Sequence, residues 1–168
     1  MRARVATIVA LLTLLGLLGP GPAWGGVPED IAAAAEALKA WDMAGAGAAL
    51  TRLEAEAPMD PATLLLRGRH HLMEGRYQDA ADFLSQATQL GGGETAEHFL
   101  GIARATADQT RDYVRHLTAS GRFEIAHAPG PDAVMVPYVE EVLDAAWEHL
   151  TRTFGHTPPM PIRVEIYP

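Results

Sequence analysis

The sequence predicts a mainly α protein, with helical hairpins first and then an incomplete α+β segment of strand, helix and strand. Three observations predict it. Between Glu29 and Ser120, short stretches of helical apolar period are punctuated by Gly and Pro, with little sign of strands. Within that region a set of small and apolar residues recurs at a fixed spacing. After Gly121 the period changes, and the chain reaches Ile162-Arg163-Val164-Glu165-Ile166-Tyr167, which alternates apolar and polar like a half-buried strand.

At the start, Arg2 and Arg4 precede an unbroken apolar run from Val5 to Leu18, followed by Gly19-Pro20-Gly21-Pro22 and small residues at Ala23 and Gly25. This reads as a secretory signal peptide over residues 1–26. The run is about 14 residues, short of the roughly 20 that span a bilayer as a helix. A retained membrane anchor is the alternative. The chain has no cysteine, so it carries neither a lipid-modified N-terminal cysteine nor a disulfide. The expected location is outside the bacterial cytoplasm, periplasmic or extracellular, with no membrane association once the signal is cleaved.

Cleavage would leave about 140 of the 168 residues, enough for one ordinary core or two small ones. The net charge is −8 and Lys39 is the only lysine. No basic stripe exists to hold nucleic acid, and no polybasic segment follows the signal to hold an anionic membrane.

The recurring residues set the architecture of the middle. Ala80 aligns with Ala46, Leu84 with Leu50 and Gly92 with Pro58, each pair 34 residues apart, the period of a tetratricopeptide helix-turn-helix repeat. Small residues at Gly68 and Ala80 let the two helices of one repeat approach closely, while Leu64, Tyr77, Leu84 and Leu90 fill the space between them. Asp60-Pro61 supplies an N-cap and a first-turn proline, and Gly91-Gly92-Gly93 ends the helix that begins near Tyr77.

Taken residue by residue, Leu64, Gly68, Tyr77, Ala80, Leu84 and Ala87 resemble the tetratricopeptide signature. The preceding copy, about residues 29–58, keeps Asp42, Ala46, Leu50 and Pro58 but has Ala34 where a glycine is usual. A third copy begins around Phe99-Leu100-Gly101 without a second helix in register. The helix from about Thr95 to Ser120 is therefore expected to cap the stack, giving a repeat region over 27–120. Resemblance to repeat grooves implies that Leu65, Arg69, Leu72 and Met73 face a protein or peptide partner. For Leu65 and Leu72, packing against the neighbouring repeat is an equal alternative.

Residues 121–168 read as strand Arg122–His127, a turn at Pro129-Gly130-Pro131-Asp132, a helix to Phe154 closed by Gly155, and the final strand. Val139, Val142, Leu143, Ala146, Trp147, Leu150 and Phe154 share one helical face, opposite Glu140, Glu141, Asp144 and Glu148. That apolar face is expected to cover a sheet. The last strand has no later segment to pair with and would form an open edge.

Phe123-Glu124-Ile125, Pro129-Gly130-Pro131-Asp132, Val136-Pro137-Tyr138, Leu143-Asp144-Ala145-Ala146-Trp147, Phe154-Gly155 and Pro161 to Pro168 together resemble the entry to a peptidase MA-like domain. In that family, secreted bacterial proteins join tetratricopeptide repeats to a gluzincin-type zinc metallopeptidase. The resemblance implies that this chain is the N-terminal portion of such a protein, ending before the zinc motif.

The family's chemistry needs H-E-x-x-H on a helix, with two His one turn apart on the metal and Glu as the base for a metal-bound water. The sequence contains no such motif. His70 and His71 are expected to point in different directions around a helix, leaving only His70 and Glu74 on a common face. Two ligands do not make a zinc site. The expectation is solvent- or partner-facing histidines, no catalytic residue, no metal ligand and no stoichiometric zinc in this chain, with the resemblance placing zinc in sequence beyond Pro168.

Other chemistry is not indicated. Gly91-Gly92-Gly93 follows no strand and precedes no lysine, so it is a helix stop rather than a phosphate cradle. Ser85 and Ser120 are the only serines, and neither lies in a G-x-S-x-G elbow. Glu140 and Glu141 diverge by about 100 degrees as helical neighbours and do not form an acid/base pair. His127 is expected to be an exposed strand end. Two functional readings remain: the repeat-bearing portion of an exported zinc metallohydrolase, or a non-enzymatic exported scaffold that binds a peptide or protein partner.

Overall fold

The computed structural model describes residues 26–167. The signal-peptide reading falls on residues outside these, apart from Gly26, which precedes the first helix. Six α-helices and three short strands follow, in the order α1 (Val27–Lys39), α2 (Met43–Glu56), α3 (Pro61–Met73), α4 (Tyr77–Gln89), α5 (Gly93–Thr110), β1 (Val114–Leu117), β2 (Phe123–His127), a 3-10 turn (Pro131–Met135), α6 (Val136–Phe154) and β3 (Ile162–Ile166). The protein is mainly helical with one small sheet. None of the helices among the described residues is long and apolar enough to cross a membrane.

The chain forms two compact units, one up to Pro58 and one from Met59 onward. In the first, α1 and α2 form a hairpin. Asp42 caps α2 by accepting from the Gly45 amide at 2.9 Å. Ala34, Leu38, Ala46, Ala49, Leu50 and Leu53 are buried between the helices. Asp30 is buried as well, and its Oδ1 accepts from Arg52 Nε at 3.0 Å and Nη2 at 2.6 Å.

The second unit opens with α3, whose N-terminus is built as its sequence directs. Asp60 Oδ1 accepts from the amides of Ala62 and Thr63 at 2.9 and 3.2 Å, and Pro61 occupies the first turn, where its missing N–H costs nothing. Helices α3 and α4 pack as a hairpin, with α5 against α4. A side chain at Gly68 would place its Cβ 2.5 Å from Leu84 Cγ and 3.2 Å from the Ala80 carbonyl, so glycine there sets the closeness of the two helices. Ala80, Ala81, Leu84, Leu100 and Ala103 form the core, joined by partly buried Leu65, Leu72 and Phe99. Leu90, expected inside, is instead exposed at the end of α4.

The hairpins repeat in register: α1 begins at residue 27 and α3 at 61, α2 at 43 and α4 at 77, each offset being 34 residues. A third copy does not follow. The helix expected to run to Ser120 stops at Thr110, and β1 replaces its last turns. All four residues of β1 are exposed, so the burial alternation that would mark a strand is missing.

The sheet order is β1-β2-β3, with β1 antiparallel and β3 parallel to β2. The final strand therefore pairs with an earlier one through a helical crossover, as parallel neighbours require. Central β2 is buried along most of its length, whereas β3 is half-buried at every position rather than alternating. Arg163 Nε donates to Glu124 Oε2 at 3.0 Å across the register pair of β3 and β2.

Helix α6 covers the sheet only in part. Its Trp147 meets Phe123 edge-on at 5.9 Å between ring centroids, yet no residue of α6 is fully buried. Val142 is 66% exposed and Phe154 73%. The expectation that this face covers a sheet is met at Trp147 and fails at Val142, Leu150 and Phe154, all exposed.

Candidate functional site

Of the residues read as a partner groove, Leu65, Arg69 and Leu72 lie partly buried toward α5, and Met73 follows at the end of α3. Leu65 and Leu72 turn inward and pack against the core of α3, α4 and α5. Arg69 lays its guanidinium over the Phe99 ring, 4.9 Å from the centroid, which joins α3 to α5. Met73 lines a hollow of about 300 Å³ with Glu74, Tyr77, Arg163, Glu165 and Tyr167. The signature residues are packed as a repeat interior: Ala46, Leu50, Leu64, Ala80, Leu84 and Ala87 are buried, Gly68 lies under Leu84, and Tyr77 is half-buried.

The end of α3 carries the densest chemistry. Arg163 on β3 donates Nη1 to the carbonyls of Glu74 and Gly75 at 3.2 and 2.8 Å, satisfying acceptors that a helix C-terminus leaves open. Tyr77 and Tyr167 both donate to Glu165 Oε2, at 2.7 and 2.6 Å. Burial and these bonds to Glu165 push both phenols above their ordinary pKa. Sequence reasoning missed this joint because its partners lie 88 and 89 residues apart, beyond any local pattern.

Contrary to the expectation of a solvent- or partner-facing surface, His70 and His71 are both buried inside the chain, at 6% and 3% exposure. Helix α4 explains the second, for the His71 ring stacks on Phe83 with centroids 5.2 Å apart. Their rings do not point apart either. His70 Nδ1 and His71 Nδ1 lie 3.3 and 3.4 Å from the same atom, Glu74 Oε2. Adjacent Cβ directions on a helix differ by about 100 degrees, but two rotatable bonds bring both ring nitrogens back toward the carboxylate.

The electrostatics of the cluster are mixed. Burial, then the charges of Arg76 and Arg67, push the His71 pKa down and favour a neutral ring. For Glu74, burial pushes upward, but the hydrogen bond from Arg76 and the neighbouring positive groups outweigh it, holding the acid below its ordinary range. Arg76 Nε donates to Glu74 Oε2 at 3.0 Å, and Nη2 reaches the same oxygen.

Elsewhere, His127 is buried rather than exposed and its Nδ1 pairs with the Ala128 carbonyl at 2.7 Å. Ser120 donates to Asp144 Oδ1 at 2.8 Å. Glu140 is occupied by the Ala119 amide at 2.6 Å and by His116 Nε2 at 3.5 Å. The Ser120, Ala119 and His116 contacts tie α6 to the hairpin of β1 and β2, and none of these contacts arranges a nucleophile with a base. No family model matches the chain, and neither a curated protein nor a solved structure does.

Proposed function

We propose that this chain is the N-terminal portion of an exported, repeat-bearing protein of the peptidase MA-like zinc metallohydrolase family, periplasmic or extracellular in a bacterium. On this reading the tetratricopeptide-like hairpins serve protein–protein interaction and the stretch in hand is itself non-catalytic. The catalytic zinc of that family requires H-E-x-x-H, which these residues lack. Partners are a protein or peptide, with no role for nucleic acid or, after signal cleavage, for a membrane.

The observation that carries the reading is the 34-residue recurrence of helix starts, 27 to 61 and 43 to 77, with buried small and apolar residues at matching positions. Support for the second half comes from the strand–helix–strand unit after Gly121, where the turn and strand residues that resemble the family fall on β2, the 3-10 turn, α6 and β3. The test is to read the encoding frame beyond Pro168 for H-E-x-x-H with an acidic ligand downstream. Finding it supports the enzyme family; an extension without it leaves the non-enzymatic exported scaffold.

A further inference from the structure

The cluster at the end of α3 has the composition and spacing of a cation site. A tetrahedral zinc ion with bonds of roughly 2.0–2.1 Å holds its ligand atoms about 3.3 Å apart. The two His Nδ1 atoms stand at 3.3 and 3.4 Å from Glu74 Oε2, and all three ligand atoms lie within 4.8 Å of one another. Two imidazoles and a carboxylate suit zinc and its late first-row neighbours rather than calcium or magnesium, which prefer all-oxygen shells.

The surroundings fit the same reading. Both imidazoles are buried and fixed, His71 by its stack on Phe83 and His70 by the edge contact of the two rings at 6.1 Å. Glu74 is the exposed member, with a side chain 35% accessible, so an ion has a way in and a place for a water as fourth ligand. The third ligand, His71, is what the sequence count of two lacked.

We propose that His70, His71 and Glu74 bind one zinc-class divalent cation, with an open coordination position on the side of Glu74. Arg76 is its built-in competitor, because its guanidinium occupies the oxygen that the cation needs. This site differs in residues and geometry from the H-E-x-x-H centre of the proposed family and stands or falls independently of that assignment.

The test is calorimetric titration of the full chain with Zn²⁺, and with Co²⁺ followed by its visible absorption. The expected result is one equivalent of Zn²⁺ and the intense cobalt bands of a four- or five-coordinate site. Glu74→Gln should weaken binding by at least about tenfold while leaving the circular dichroism unchanged. Arg76→Gln should tighten it, since a cation is removed from the ligand oxygen. Absence of stoichiometric binding, a purely octahedral cobalt spectrum, or equal affinity in Glu74→Gln would each overturn the proposal, the last by showing that Glu74 is not a ligand. If Glu74→Gln fails to fold, the wild-type cobalt spectrum and Arg76→Gln decide alone.

Discussion

The hairpins α1–α2 and α3–α4 are the same design executed twice, and they differ most at the turn. Their helices begin 34 residues apart, and Leu50 and Leu84 are each wholly buried at equivalent positions. The turn residues, Trp41 and Gly75, are also 34 apart, and both adopt the left-handed region, at φ 59° and 70°. In α3–α4 the residue is a glycine, which tolerates that conformation, and its carbonyl receives Arg163 of β3. In α1–α2 it is a tryptophan, 73% exposed. The comparison teaches that the repeat register dictates the backbone of the turn even where the residue opposes it.

The largest expected effect tests the part the two hairpins share. Leu50→Ala and Leu84→Ala each remove a side chain of 0% exposure from between packed helices, and each should cost about 2–5 kcal/mol in denaturant unfolding. Similar losses at both sites are expected from the common register. A loss below about 1 kcal/mol at either one would show that its hairpin is not packed as the equivalence requires.

That shared register was legible in the sequence because a repeat is a local pattern written twice. The pairs Ala46 with Ala80 and Leu50 with Leu84 announced it, and the Asp60-Pro61 cap marked where α3 begins. What was not legible depends on contacts between distant segments. β1 is invisible since Val114, Arg115, His116 and Leu117 are all exposed, so no burial alternation marks the strand that pairs with β2. The burial of His71 depends on Phe83 from the next helix. The convergence of His70 and His71 depends on side-chain torsions, which a helical wheel drawn at Cβ leaves out. Helix α6 shows the opposite error: its amphipathic period is plain, but period alone does not supply a partner for Val142 or Phe154.

Next in size is a change at the turn where the two hairpins part. Gly75→Ala places a Cβ into a left-handed residue, at about 1–2 kcal/mol, and directs it at the Arg163 guanidinium. The variant should lose about that much stability. It should also speed amide exchange in β3, because Arg163 must leave the Glu74 and Gly75 carbonyls. Loss of stability with unchanged exchange in β3 would separate the backbone cost from the docking and show that Arg163 does not depend on the bare glycine.

The smallest effect has the opposite sign and exposes the asymmetry most directly. Trp41→Gly relieves the left-handed strain, worth about 1–2 kcal/mol for a residue with a Cβ. Against this stands the greater freedom of glycine in the unfolded chain, roughly 0.5–1 kcal/mol. The indole adds little to the balance, since 73% of the residue is already in water. The relief exceeds the entropy cost, so Trp41→Gly should stabilise the chain by about 0.5–1 kcal/mol, read as a raised unfolding midpoint with an unchanged slope. Trp41→Ala keeps a Cβ in the same conformation and should give none of that gain. Equal midpoints for the two variants would mean that the backbone at this turn is not strained, and that the 34-residue register fixes the helices without fixing the turn between them.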